Sequence, residues 1–302
     1  MLQNKKIAVI ATIGFLILAG GLPAIADARL VLHNSHFKDY DAHSIEDEKG
    51  NTCVALRKYW AVLVGINIYP GPGSGLPYSL NEINSFKEIL LNGGNWNSSQ
   101  ILVVTNSDAT KAGVYGAIDW LRANVDENDT SIFFFVGHGG RNLTNEYIAV
   151  YDAPLYDCEL DEQLQDVPGE MIVIIDACHS GGFIEELGKR GRVVLTACKK
   201  DESTYQVHDL KSGMFGYFLN VGLEWLTKSA EVTFFFARLF TVLYSNRISE
   251  EYEEDYIVHP QVYDGTSGLT KLIWKHSYFK KFYYSMLFDI SMANNGKNIW
   301  RM

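Results

Sequence analysis

The chain has 302 residues, with 26 lysines and arginines against 36 aspartates and glutamates, a formal charge of -10, and four cysteines. At 47% hydrophobic it can bury a real core and is not a disordered chain. The acidity argues against a nucleic-acid partner, which needs a net-basic face to neutralise phosphates. Four cysteines in this length do not make a disulfide-stapled miniprotein.

Residues 1–28 read as a secretory signal. Lys5 and Lys6 form the charged start, Ile7 to Leu18 is apolar apart from one threonine and one glycine, and Gly20, Gly21 and Pro23 break it. Ala24-Ile25-Ala26 and Ala26-Asp27-Ala28 offer small-residue cleavage sites, so the expected location is secreted or extracytoplasmic. An uncleaved membrane anchor is the alternative. The sequons at Asn97, Asn128 and Asn142 fit export.

Residues 29–57 are polar and mixed in charge, and read as an extension or linker. Trp60 to Asn67 is an apolar run short enough for a buried strand. Pro70 to Pro77 holds three prolines and three glycines and must be loop. Leu80, Ile83, Phe86, Ile89 and Leu90 fall at helical spacing. Further strands are expected at 101–105, 131–136, 171–177 and 192–197. Thr110 is placed to cap a helix carrying Val114, Ile118 and Leu121 inward. Helices follow near 216–226 and 233–245, then a last strand at Pro260 to Asp264. Continuous apolar strands separated by helices predict a mostly parallel sheet covered on both faces.

In such sheets the reactive groups lie at the carboxyl ends of the strands. One strand ends in Gly137-His138-Gly139-Gly140, another in Asp176-Ala177-Cys178-His179-Ser180-Gly181-Gly182. Each puts a titratable side chain where a buried strand emerges, and the glycines let the backbone approach a ligand. If the two strands are neighbours, His138 and Cys178 face one cleft. An imidazole beside a thiol favours the thiolate nucleophile.

The Gly137-His138-Gly139 segment, followed by Asp176-Ala177-Cys178-His179-Ser180-Gly181-Gly182, resembles the caspase-like cysteine peptidases. It is closest to the metacaspase and prokaryotic caspase-homologue branch. Ala61 to Tyr69, Leu80 to Ile83, Arg192 to Ser203 and Pro260 to Gly265 are also similar, so the resemblance covers roughly residues 58–265. It implies a three-layer α/β/α sandwich with a mostly parallel six-stranded sheet, in a peptidase domain over 58–268. It implies polypeptide substrates and a dyad in which Cys178 attacks the scissile carbonyl and His138 protonates the leaving amine. Backbone amides of Gly139 and Cys178 would form the oxyanion hole.

Asp176 stands two residues before Cys178, on the same side of the strand. In the metacaspase branch this aspartate helps line an acidic S1 pocket. Its partner there is an aspartate in an Asn-Asp pair, where this chain has Asn81-Glu82. Two carboxylates suit Arg or Lys, so cleavage after basic residues is expected. The resemblance requires no cofactor but allows calcium, on Asp152 with Asp161, Glu162 and Glu185 as contributors. Arg190, Arg192, Lys199, Lys200 and Lys211 are candidate self-processing sites of a zymogen. The alternatives are a legumain-like asparaginyl endopeptidase and a non-catalytic adaptor with the same fold. An α/β-hydrolase elbow fits poorly, with Asp176 and Ser180 where glycines belong.

Cys53, Cys158 and Cys198 allow at most one disulfide that spares Cys178. The tail, residues 269–302, is basic and aromatic: from Lys271 it carries six basic residues and one acid. It suits a membrane surface, a cover over the cleft, or packing against the helices.

Overall fold

The structure is a computed structural model that describes residues 57–71, 73–273 and 299–302, together with the main chain of 42–46 and 52–56. Residues 1–28 lie outside the described residues, as do Trp274 to Phe288 of the tail. Within the segment read as a linker, β1 (Ala42–Glu46) and β2 (Thr52–Leu56) pair antiparallel as a hairpin.

The apolar runs form the sheet. β3 (Tyr59–Gly65), β4 (Ile101–Thr105), β5 (Thr130–Val136), β9 (Glu170–Asp176) and β10 (Arg192–Thr196) are parallel. Their spatial order is β4-β3-β5-β9-β10, and β13 (Gln261–Asp264) closes the edge antiparallel to β10. Pro260, expected to begin that last strand, falls just before it.

The two faces explain why the strands are apolar at every position. Leu63, Phe134, Ile172 and Ile174 point to one side, against α1 (Ser79–Asn92), α5 (Met214–Trp225) and α6 (Ala230–Tyr252). Val62, Val64, Phe133, Phe135, Val173 and Ile175 point to the other, against α2 (Lys111–Asn124), α3 (Asp157–Leu164) and α4 (Phe183–Leu187). Phe133, Phe134 and Phe135 are all fully buried, and each contributes about 1.5–3 kcal/mol by leaving water. Thr110 caps α2 by accepting from the Gly113 amide at 3.0 Å. Val114, Ile118 and Leu121 are buried as their spacing requires.

α6 extends well beyond the expected 233–245. Its buried side carries Phe234, Ala237, Thr241, Ser245 and Ile248, while Phe235, Leu239 and Leu243 are exposed. Apolar residues on both sides blur the period that marks a helix's limits. Two small sheets had no strong pattern of their own. One is β6 (Gly139–Arg141), β7 (Glu146–Ala149) and β8 (Pro154–Tyr156). The other has β11 (Tyr205–Val207) between β12 (Ser212–Gly213) and β14 (Ile299–Arg301).

The packed domain runs past 268. Leu272 and Ile273 are buried, and the Leu272 carbonyl accepts from the Trp96 indole at 2.7 Å. Cys158, Cys178 and Cys198 are free thiols, so none of these three forms a disulfide. Among the described residues no helix is long and apolar enough to cross a membrane.

Candidate active site

β5 and β9 are adjacent, with Val136 opposite Asp176. Two residues further along both chains stand His138 and Cys178, so the register brings them to one sheet edge. Gly139 presses on the Cys178 backbone: a β-carbon there would lie 2.4 Å from the Cys178 carbonyl oxygen and 3.2 Å from its nitrogen. Only glycine permits that approach. It places the two candidate oxyanion segments side by side.

His138 is held at several points. Its amide donates to the Tyr69 hydroxyl at 2.8 Å, and its ring lies 4.8 Å from that of Tyr69. Burial raises the Tyr69 phenol above its usual range, so it stays a neutral brace. The His138 Nε2 sits 2.9 Å from the Ser74 carbonyl oxygen. A carbonyl can only accept, so this bond fixes the proton on Nε2 and leaves Nδ1 as the basic nitrogen. The Pro70 to Pro77 loop thus supplies an orienting group that no side-chain motif could reveal. Cys178 is 1% exposed. Its sulfur lies 3.6 Å from the Thr204 carbonyl and receives the Thr204 amide at 3.4 Å.

Asp176 and Glu82 also meet. The N-terminus of α5 folds over both: the Gly216 amide donates to Asp176 Oδ2 at 2.9 Å, and the Gly213 amide and Ser212 hydroxyl each donate to Glu82 Oε2 at 2.8 Å. The other oxygens, Asp176 Oδ1 and Glu82 Oε1, are buried without any donor from a third residue. A single proton shared between the two carboxyls satisfies both. Burial, then the charge of Asp176, raises Glu82 well above the usual carboxylate range. Burial pushes Asp176 up to about 6. Both shifts favour a protonated carboxyl, so the two groups do not behave as the two independent charges expected of the pocket.

The glycines of α5 are shaped to this pair. A β-carbon on Gly216 would lie 1.9 Å from Glu82 Oε1. Helix propensity alone would favour alanine there by about 1 kcal/mol. The clash with a buried, anchored carboxyl outweighs it, and Gly216→Ala is expected to cost about 1–3 kcal/mol in thermal or urea unfolding. A variant as stable as the parent would show that Glu82 can move aside.

Other sequence candidates fall elsewhere. Asp152 is exposed and accepts the Lys111 amide at 2.8 Å at the start of α2. Asp161 pairs with Arg192 at 2.7 Å, and Glu185 with Lys200 at 2.9 Å. Among the described residues no group of three or more His, Cys, Asp or Glu is placed to hold a metal ion. The calcium ligands expected on Asp152, Asp161, Glu162 and Glu185 thus do not form one cluster. Arg192 is 6% exposed and ion-paired, which removes it as a processing site, whereas Arg190 and Lys211 are exposed. His179 has φ 61° and its Nδ1 lies 3.0 Å from the Lys200 carbonyl, a local structural role. Tyr69, Ser74, Thr204, Ser212, Gly213 and Gly216 had no motif signal as site residues, because each acts through the main chain or through a distant element.

The chain is similar to known proteins in sequence and in fold. Residues 58–256 match the Caspase domain family profile. Metacaspase-1 of Schizosaccharomyces pombe is 24% identical over 157 residues, covering 45% of this chain and 36% of its own. Metacaspase-1B of Aspergillus fumigatus is 28% identical over 157 residues, covering 45% and 38%. The chain thus spans little more than a third of the length of these curated relatives. Caspase-1 from Spodoptera frugiperda shares the fold, with a TM-score of 0.57 at 11% identity over 74% of this chain and 92% of that one. A Geobacter sulfurreducens protein does so with a TM-score of 0.52 at 16% identity, over 70% and 94%. Since the matched profile takes in most of the chain and spans both strand ends, this protein belongs to the caspase-domain family of cysteine peptidases.

Proposed function

We propose that the protein is a cysteine endopeptidase that cleaves after arginine or lysine. The observation that carries the reading is the β5–β9 register, which pairs Val136 with Asp176 and so brings the segments of His138 and Cys178 to one carboxyl edge of a parallel sheet. His138 Nδ1 takes the thiol proton, and the Cys178 thiolate attacks the scissile carbonyl. Main-chain amides at Gly139 and Cys178 receive the negative charge on the carbonyl oxygen. His138 returns the proton to the leaving amine, and water then hydrolyses the thioester. The Ser74 carbonyl accepts from Nε2 throughout, which leaves Nδ1 to carry the exchanged proton.

Specificity follows from the Asp176–Glu82 pair. One buried negative charge attracts a guanidinium or ammonium and opposes an acidic side chain. Purified protein is expected to turn over fluorogenic peptides ending in Arg or Lys far faster than those ending in Asn or Asp. Preference for Asp or Asn would overturn the specificity and favour the legumain-like alternative. Because Asp152, Asp161 and Glu185 are engaged separately, a chelator is expected to leave these rates unchanged. Export is supported by the residue pattern of 1–28 and fits the three sequons, and a mature amino terminus at Asp27 or Arg29 is the expected product.

A further inference from the structure

The reactive groups of this site are closed off. Cys178 is 1% exposed, Asp176 0% and Glu82 1%. A peptidase of this design must admit an extended polypeptide, so something occupies its place. The strand beside the nucleophile is β11, whose preceding residue, Thr204, contacts the Cys178 sulfur through both its carbonyl and its amide. The chain's own β14 lies antiparallel on β11, with Ile299 opposite Val207, Trp300 opposite Gln206 and Arg301 opposite Tyr205. One residue on, the Met302 amide donates to the Thr204 carbonyl at 3.1 Å, the same carbonyl that faces the Cys178 thiol. The Met302 side chain is 3% exposed and packs in the apolar cluster that includes Cys178, Ala197 and Phe215. Trp300 rests edge-on against Tyr78 at 5.5 Å, at the foot of the helix that carries Glu82.

We propose that residues 299–302 act as an intramolecular pseudosubstrate. They hold the edge of β11 by strand addition, and an extended peptide with a basic residue must displace them to reach Cys178. This rests on the peptidase reading above. Strand addition suits both occupants: main-chain hydrogen bonds supply affinity whatever the sequence, and side-chain pockets supply choice. The own strand is short, three paired residues, and its Arg301 is exposed. Apart from the buried Met302, it is held mainly by main-chain pairing, which an incoming strand can replace. A substrate's apparent affinity is reduced by the fraction of molecules in which the edge is taken.

Trp300→Pro tests this. Hydrogen-bonded pairs alternate along an antiparallel ladder, so the Met302 bond to Thr204 places the next pair at Trp300 and Gln206. Proline there removes the donor. Met302→Asp is the second variant, since a carboxylate is disfavoured at that buried position. Two readouts are taken on folded protein. Alkylation of Cys178 by iodoacetamide, followed by mass spectrometry, is expected to speed up about tenfold or more in both variants, the gain when an edge taken in nine-tenths of molecules is freed. The exposed Cys158 serves as internal reference and keeps its rate. The kcat/KM for an Arg-terminated fluorogenic peptide is expected to rise by a similar factor. An unchanged Cys178 alkylation rate in the folded variants overturns the proposal. Faster alkylation with no turnover of Arg, Lys, Asn or Asp peptides leaves the occlusion standing and overturns the peptidase reading instead. Where Trp300→Pro fails to fold, Met302→Asp decides alone.

Discussion

Cys178→Ala is expected to lower turnover of Arg-terminated peptides by a factor on the order of 10⁴ or more, down to the assay background. Alanine removes the only atom that forms the covalent intermediate. It leaves the surroundings nearly intact, since the sulfur's protein contacts are two long contacts to the Thr204 backbone. The fold should therefore survive, which circular dichroism and the melting temperature will show. His138→Ala should be comparably damaging, because groups that act as a unit fail together. Activity persisting in a folded Cys178→Ala variant would mean that the nucleophile is misassigned. The same variant reports on maturation: if the wild type processes itself after exposed Arg190 or Lys211, intact mass will show fragments that Cys178→Ala lacks.

The second large effect is a contrast between two neighbouring carboxyls. Asp176→Asn is expected to lower kcat/KM for Arg and Lys peptides by about 30- to 1,000-fold, as for the loss of one partner of a buried charge pair. Glu82→Gln is expected to stay within about threefold, since a neutral amide reproduces a neutral acid. Its oxygen can accept from Ser212 and Gly213, and its NH₂ can donate to Asp176 Oδ1. Equal losses in the two variants would instead mean two charges in the pocket. The pH dependence is linked to this. With Asp176 pushed up to about 6, kcat/KM for basic substrates should rise as pH increases through about 6. The titration belongs to the pair rather than to one residue, and Glu82→Gln should move the midpoint. Stability changes in the opposite sense. The folded state holds the Asp176 proton more tightly than the unfolded chain, whose pKa is 3.8. This group's contribution to stability is thus fully present below that value and is lost as pH rises through about 6.

Single-residue identity carried much of the site. His138 and Cys178 stood out as candidates because each follows an apolar strand, with glycines on both sides of His138 and a Gly-Gly pair shortly after Cys178, and a parallel sheet exposes such ends on one edge. Their pairing was not legible. It came from β9 lying beside β5, a register between residues forty apart. Asp176 was legible from the two-residue period of its strand. The surroundings of Glu82 were not, because the groups that bond it belong to β12, 130 residues and more away in the chain.

By itself, the sequence determined what depends on local pattern: the buried strands, the capped helix α2, the turn-rich loop and the residues at the strand ends. Period and composition act over a few residues and can be read there. The tertiary structure alone decided which strand ends meet, that Asp176 and Glu82 are buried together, and that β14 pairs with the strand beside Cys178. Each of these depends on desolvation or main-chain pairing between segments far apart in sequence. Part of the net charge of -10 lies in this buried pair, where desolvation favours the protonated form of both carboxyls.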